Sequence, residues 1–166
     1  MSKLFPDLYI KSLEELDIEA LKNRGIKAII CDIDNTLETA KTSVPCEKTL
    51  QWIKKVTDYG MKFYVLSNNN ERRVNLFCRD MDVLYSHHAA KPLKFGFKRA
   101  LRDMNLAPND VCMIGDQVFA DIWGANRMKI YSVLVEKITE NESAFARFKR
   151  FFERKVLKRY WNEQKK

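Results

Sequence analysis

Apolar and polar positions alternate in blocks along this chain. The most apolar block is Ile26-Lys27-Ala28-Ile29-Ile30-Cys31, which stops on Asp32 and Asp34. A short apolar run with polar boundaries reads as a strand buried on both faces, as in parallel sheets. Further runs occur at Phe63-Tyr64-Val65-Leu66, Val111-Cys112-Met113-Ile114 and residues 130–135, with a weaker one at Val83-Leu84-Tyr85. The stretches between them have helical spacing. Asp17 as N-cap and Gly25 as stop bracket a short helix. Pro45 opens a helix to about Tyr59, with Leu50, Ile53 and Val56 on one face and Gly60 after it. Helices are also predicted from Glu71 to about Met81 and from Lys91-Pro92 to about Met104, and a short one carries Asp121. Residues 3–12 read as a mixed, Pro-containing lead-in, and residues 37–44 as loop. Strands and helices alternate throughout, which predicts an α/β fold: a single Rossmann-like domain with a five-stranded parallel sheet and helices on both faces.

The strand ends carry the chemistry. In open parallel sheets, ligands sit at the carboxyl edge. Asp32, Asp34 and Thr36 follow the first strand, Ser67 and Asn68 the second, and Asp116 the fourth, with Asp121 five residues on. Lys91 precedes a Pro-started helix. Two acids at i and i+2 repel in a dry site unless they share a proton or a cation. A hard divalent ion such as Mg²⁺ suits them, and it leaves one carboxylate free as a nucleophile. A calcium loop does not fit, because Leu37 stands where such a loop needs Gly and Ser43 where it needs Glu. The simpler alternative, that the two acids cap a turn, stays open on these residues alone. Ser67 can also cap a helix, Lys91 can be a surface lysine, and Asp121 an exposed helix residue. Taken together, these positions supply a nucleophile, a second acid, a hydroxyl, a cation and metal-ligating carboxylates, a set suited to phosphoryl transfer. No Walker motif and no G-x-G-x-x-G run occurs. His87-His88 makes a poor chelate, since neighbours on a strand point to opposite faces, and a loop or core role is expected.

Asp32-Ile33-Asp34-Asn35-Thr36, then Ser67, then Lys91, then Gly115-Asp116-Gln117-Val118-Phe119-Ala120-Asp121 resembles, in order and spacing, the four motifs of the haloacid-dehalogenase (HAD) superfamily of phosphatases. The resemblance implies that Asp32 attacks phosphorus and that Asp34 protonates the leaving oxygen. It implies Mg²⁺ held by Asp32, the Asp34 carbonyl and Asp116, with Asp121 in support. Ser67, Asn68 and Lys91 would grip the phosphoryl oxygens, with Thr36 as a further substrate-binding position. Neither gap between motifs has room for a cap domain, so an open site is expected. Phe5-Pro6-Asp7-Leu8-Tyr9, Ser67-Asn68-Asn69 and Gly124-Ala125-Asn126-Arg127 also resemble the capless HAD-IIIA branch related to phosphatidylglycerophosphate phosphatases. That implies a phospholipid headgroup phosphate as substrate. A soluble or protein-bound phosphomonoester is the alternative. A different class of alternative is a non-enzymatic RNA- or ribosome-binding protein that uses a basic tail.

Charge adds the tail. The 166 residues carry a net charge of +8, of which the last twenty hold +7. Thr139-Glu140-Asn141-Glu142 reads as a capping box opening a last helix. Along it Phe145, Phe148, Phe152, Val156 and Tyr160 fall on one face, and Arg147, Arg150, Arg154 and Lys158 on the other. The division expected is 1–138 for the hydrolase domain and 139–166 for this basic amphipathic extension. The helix is open to three readings: contact with an anionic membrane surface, packing on the domain, or nucleic-acid contact. Cys31, Cys46, Cys78 and Cys112 lack metal or disulfide spacing and are expected as thiols. Asp7, Glu14, Glu15 and Asp17 interrupt any leader pattern, so a cytoplasmic protein is expected, with a peripheral position on the inner membrane face as the lipid reading implies.

Overall fold

A computed structural model describes residues 2–138 and 144–164, with the side chains of 2–138 and 151–164. Six parallel strands form one sheet: β1 (Leu8–Ile10), β2 (Ala28–Cys31), β3 (Lys62–Leu66), β4 (Leu84–Ser86), β5 (Val111–Gly115) and β6 (Tyr131–Val135). Their order is β1-β6-β5-β2-β3-β4, every neighbouring pair being parallel. The three central strands are the apolar blocks read from the sequence. The sixth strand corrects the expected five. It lies in the stretch read as a lead-in, where Leu8, Tyr9 and Ile10 pair with Val133, Leu134 and Val135. Leu8 and Tyr9 are only partly buried and Ile10 alone is buried, and a segment this short on a sheet edge has too little apolar alternation to announce itself.

Side chains alternate across the sheet, as the pleat requires. Ile29, Cys31, Phe63, Val65, Cys112 and Ile114 face one layer, formed by α1 (Ile18–Asn23), α2 (Glu47–Asp58) and α3 (Glu71–Cys78). Ala28, Ile30, Tyr64, Leu66, Val111 and Met113 face the other, formed by α4 (Lys94–Met104) and α5 (Trp123–Met128). Asp17 caps α1 by accepting from the Ala20 N–H at 2.8 Å. Gly25 and Gly60 follow α1 and α2 with φ of 88° and 79°, which side-chain-bearing residues rarely adopt. On α2 the inward face is Thr49, Trp52, Ile53 and Val56, whereas Leu50 is exposed. The helix begins at Glu47, two residues after Pro45, and Trp52 anchors it by donating from Nε1 to the Leu13 carbonyl at 2.9 Å. No separate cap intervenes between β2 and β3 or between β3 and β4, which are joined through α2 and α3 alone.

The last helix, α6 (Ala144–Gln164), packs on the domain. Val156 and Leu157 pack against Val118, Ile122 and Leu134. Tyr160 is buried edge-on to Phe5, and Trp161 meets Tyr9 in the same way. Phe152, placed on the apolar stripe by sequence, is exposed beside Phe151. The inward stripe is Glu153, Val156, Leu157 and Tyr160, rotated by about one residue from the one expected. The capping box at 139–142 lies outside the described residues, as do the side chains of Phe145, Arg147, Phe148 and Arg150. Among the described residues no helix is long and apolar enough to cross a membrane.

Phe77 on α3 is fully buried against the first layer. Phe77→Ala is expected to lower unfolding stability by about 3–5 kcal/mol. A denaturant midpoint that stays at the wild-type value would show that this layer does not carry the fold.

Candidate active site

The carboxyl ends of β2, β3 and β5 open onto one depression. Asp32 follows β2, its N–H donating to the Ile114 carbonyl of β5 at 3.0 Å. Ser67 follows β3, and Asp116 follows β5. A cavity of about 220 Å³ is lined by Asp32, Asp34, Ser67, Asn68, Asn69, Lys91, Gln117 and Ala120. Carboxylate oxygens of Asp32, Asp116 and Asp121 lie within 4.8 Å of one another, and all three residues are buried. A larger cavity, about 420 Å³, lies at the amino ends of the strands around Arg24, Asn109 and Tyr131, away from these acids.

Lys91 stands at the centre. Its ammonium contacts Asp32 Oδ1 and Asp121 Oδ1, both at 2.7 Å, and its side chain is only 2 % exposed. Burial alone would lower its pKa, but the Asp121 and Asp32 carboxylates outweigh that and raise it, so the ammonium stays charged. Burial acts oppositely on Asp121: removal from water raises its carboxyl pKa, Lys91 opposes the rise, and the Asp32 charge adds to it. Asp121 is further held by the Gln117 N–H, which donates to Oδ2 at 3.1 Å. It sits in the short helix expected there, whose first part, Val118–Ile122, is a π-helical turn that runs directly into α5. That turn brings its carboxyl so close to Gly115 that any Cβ at residue 115 would collide with it.

Asn68 points at neither acid. Its amide brackets the Lys91 backbone, accepting from the Lys91 N–H at 2.7 Å and donating to the Lys91 carbonyl at 3.1 Å. It therefore fixes the lysine in place, a use that its position in the sequence did not disclose. Ser67 Oγ accepts from the Asn69 N–H at 3.1 Å. Thr36 is buried and lines a neighbouring cavity of about 350 Å³ with Leu37, Trp52 and Ile138 rather than the cavity of Asp32. Its hydroxyl has no hydrogen-bond partner among the described residues. His87 and His88 lie in the loop after β4, stacked edge to face.

Two residues at this site were given no role from sequence, although Asn69 lies in the Ser67-Asn68-Asn69 motif. Arg73 Nη2 pairs with Asp34 Oδ1 at 3.0 Å, and the Asn69 amide donates to Asp34 Oδ2. Burial raises the Asp34 pKa, the Asp32 charge adds to this, and Arg73 opposes it. A signal was available: Asn69 and Arg73 bracket the Asn70 N-cap of α3, directly after a strand ending at the sheet's carboxyl edge.

The arrangement is an acid-rich, lysine-centred pocket at the crossover edge of a parallel α/β sheet, as in hydrolases that use a carboxylate against an electrophile. Residues 5–129 match the model of the haloacid dehalogenase-like hydrolases, and the chain belongs to that family. It is 35% identical over 158 residues to "Probable phosphatase YqeG" of Bacillus subtilis, covering 95% of this chain and 92% of that protein. It is 26% identical over 170 residues to "Phosphatidylglycerophosphate phosphatase 1, chloroplastic/mitochondrial" of Arabidopsis thaliana, covering 95% of this chain but only 48% of that protein. Among solved structures, an uncharacterized protein from Listeria monocytogenes serotype 4b superposes with a TM-score of 0.58 at 17% identity, over 71% of this chain and 85% of that one. This last likeness concerns the fold.

The burial of Asp121 among like charges yields a test. Without metal, its raised pKa means that the folded state favours the protonated acid, so ionising it costs stability as pH rises. Asp121→Asn is expected to leave the metal-free fold as stable or up to about 2 kcal/mol more so at neutral pH, measured in chelator by denaturant unfolding. A loss of about 3 kcal/mol or more would identify the Lys91–Asp121 pair as a net stabiliser instead.

Proposed function

We propose that this protein is a Mg²⁺-dependent phosphatase working through an aspartyl-phosphate on Asp32, with phosphatidylglycerophosphate as its substrate. It is a phosphoric monoester hydrolase. The observation that carries the reading is the charge balance at the site: three buried carboxylates within 4.8 Å face one buried ammonium, that of Lys91. Carboxylates this close repel one another, and a divalent cation is the simplest complement to such a group. The oxygen-only donor set of Asp32, Asp116 and Asp121 fits a hard ion such as Mg²⁺ better than a thiophilic one. When bound, Mg²⁺ would draw charge from the phosphoryl oxygens and hold the phosphate against Asp32.

The protein's own groups then divide the work. Lys91, Ser67 and the backbone around Asn68 and Asn69 receive the phosphoryl oxygens in the cavity they line. An Asp32 carboxylate oxygen attacks phosphorus, and the bond from phosphorus to the ester oxygen breaks. Asp34 gives its proton to that departing oxygen. Water then attacks the phosphorus of the Asp32 acyl phosphate, and the bond from phosphorus to the Asp32 oxygen breaks. Asp34 takes the proton from that water, inorganic phosphate leaves and the Asp32 carboxylate is restored. Arg73 and Asn69 hold Asp34 at the mouth of the cavity between these steps.

The lipid substrate rests on three supports. A relative matching 95% of this chain is named a phosphatidylglycerophosphate phosphatase. The absence of a separate cap leaves the cavity accessible to a headgroup that stays in a bilayer. The outer face of α6 bears exposed Arg154, Lys155, Lys158 and Arg159 around exposed Phe151. Such a face suits an anionic membrane surface.

Asp32→Asn is expected to lower phosphate release from an aryl phosphate with Mg²⁺ by about 10³-fold or more. Turnover at the wild-type rate in that variant would exclude Asp32 as the nucleophile. In mixed micelles, phosphatidylglycerophosphate is expected to be hydrolysed faster than soluble phosphomonoesters, and the reverse order would sink the lipid assignment. Replacing Arg154, Lys155, Lys158 and Arg159 together by Glu is expected to abolish cosedimentation with anionic vesicles at low salt. Undiminished cosedimentation would remove α6 from the membrane contact.

A further inference from the structure

In the most basic element of the protein, one acid points inward. Glu153 on α6 is 4 % exposed, whereas Arg154, Lys155, Lys158 and Arg159 on the same helix all face solvent. A buried carboxylate is expensive unless hydrogen bonds replace its water. At this position, between the helix and a cluster of Val118, Ile122 and Leu134, an apolar side chain would pack without that cost. What the carboxylate gains is a specific partner. The Val118 N–H donates to Glu153 Oε1 at 3.0 Å, in a buried setting.

Val118 opens the π-helical turn that carries Asp121, and it lies two residues after Asp116. First-turn N–H groups lack partners within their own helix, so this donor needs an acceptor from elsewhere. A carboxylate acceptor makes a stronger bond than a neutral one. Asp116, Val118 and Glu153 line one cavity of about 200 Å³, so the acid stands on the side of the loop away from Lys91. The loop is thus gripped from two directions. On one side the Gln117 N–H bonds to Asp121, and Asp121 meets Lys91. On the other the Val118 N–H bonds to Glu153.

We propose that Glu153 is a positioning residue for the cation site: by holding the Val118 N–H from α6, it fixes the segment that aims Asp116 and Asp121 at Asp32. The proposal rests on reading those three acids as a Mg²⁺ site. It makes the C-terminal helix part of the active-site scaffold, and it predicts that loosening one hydrogen bond on α6 reaches the ion.

The test is Mg²⁺ affinity, measured by isothermal titration calorimetry on the full chain without substrate. Glu153→Ala is expected to weaken Mg²⁺ binding about 10-fold. Glu153→Gln keeps an oxygen acceptor for the Val118 N–H and is expected to fall between that variant and wild type. Tyr160→Ala loosens the same helix at its contact with Phe5 and leaves Val156 and Leu157 packed on Val118 and Ile122. It is expected to lower the melting temperature while leaving Mg²⁺ affinity within about 2-fold of wild type. Hydrogen exchange at the Val118 amide is expected to quicken in Glu153→Ala and to stay slow in Glu153→Gln. Wild-type affinity in Glu153→Ala, or an equal loss in Tyr160→Ala, would reduce Glu153 to a docking contact. Should Glu153→Ala not fold, Glu153→Gln against Tyr160→Ala decides the same question, with loss in the second but not the first overturning the proposal. No Mg²⁺ binding in wild type would overturn the cation reading itself, and this proposal with it.

Discussion

The buried ammonium of Lys91 is the contact on which the site depends. Set between Asp32 and Asp121 at 2.7 Å from each, it ties the end of β2 to the π-helical turn after β5. Burial pushes the Asp121 carboxyl toward its neutral form, and the ammonium opposes that push. The lysine is in turn held at both backbone atoms by Asn68, which follows β3. Three strand ends and the segment before α4 are therefore joined through one side chain. Asp116 converges on the same point, and Asp32, Asp116 and Asp121 together form a group that could hold a metal ion.

The sheet makes that convergence possible. β2 lies between β3 and β5, with Cys31 level with Val65 on one side and Ile114 on the other. The strands are buried on both faces by helix layers, so they cannot slip without moving apolar side chains to the wrong layer. Their polar successors are then forced to the carboxyl edge together. Gly115 completes the arrangement from β5, since only the absence of a Cβ lets the Asp121 carboxyl fold back beside it.

This logic explains what could be read from the sequence. β2, β3 and β5 were legible because a strand buried on both faces must be uniformly apolar, and Asp32, Ser67 and Asp116 were legible because each stops such a run. β1 was not, because an edge strand of three residues, two of them half-buried, draws its pairing from β6 and not from its own pattern. The inward stripe of α6 was misjudged by one residue, since Phe152 is more apolar than Glu153 and hydrophobicity alone ranks it inside. Arg73 and Asn68 share a further difficulty. Their partners, Asp34 and Lys91, are 39 and 23 residues away, so the one signal for Arg73 was indirect, its place in the first turn of a helix that starts at the sheet's carboxyl edge. Thr36, grouped with Asp32 and Asp34 by spacing, is turned to another cavity by the tight turn after β2, where Asn35 adopts a left-handed φ of 64°.

A capless site must obtain selectivity from its surroundings rather than from enclosure. Here the surroundings include α6, whose two faces carry opposite charge. The outer face presents lysine and arginine to whatever anionic surface approaches, and the inner face sends Glu153 to the loop between Asp116 and Asp121. Aromatic contacts from Tyr160 to Phe5 and from Trp161 to Tyr9 anchor the same helix to the lead-in and to β1. The edge strand, the last helix and the acidic loop therefore form one packed unit. Displacing the helix would disturb the backbone donor that Glu153 holds, so the packing of α6 and the placement of that loop meet in a single hydrogen bond.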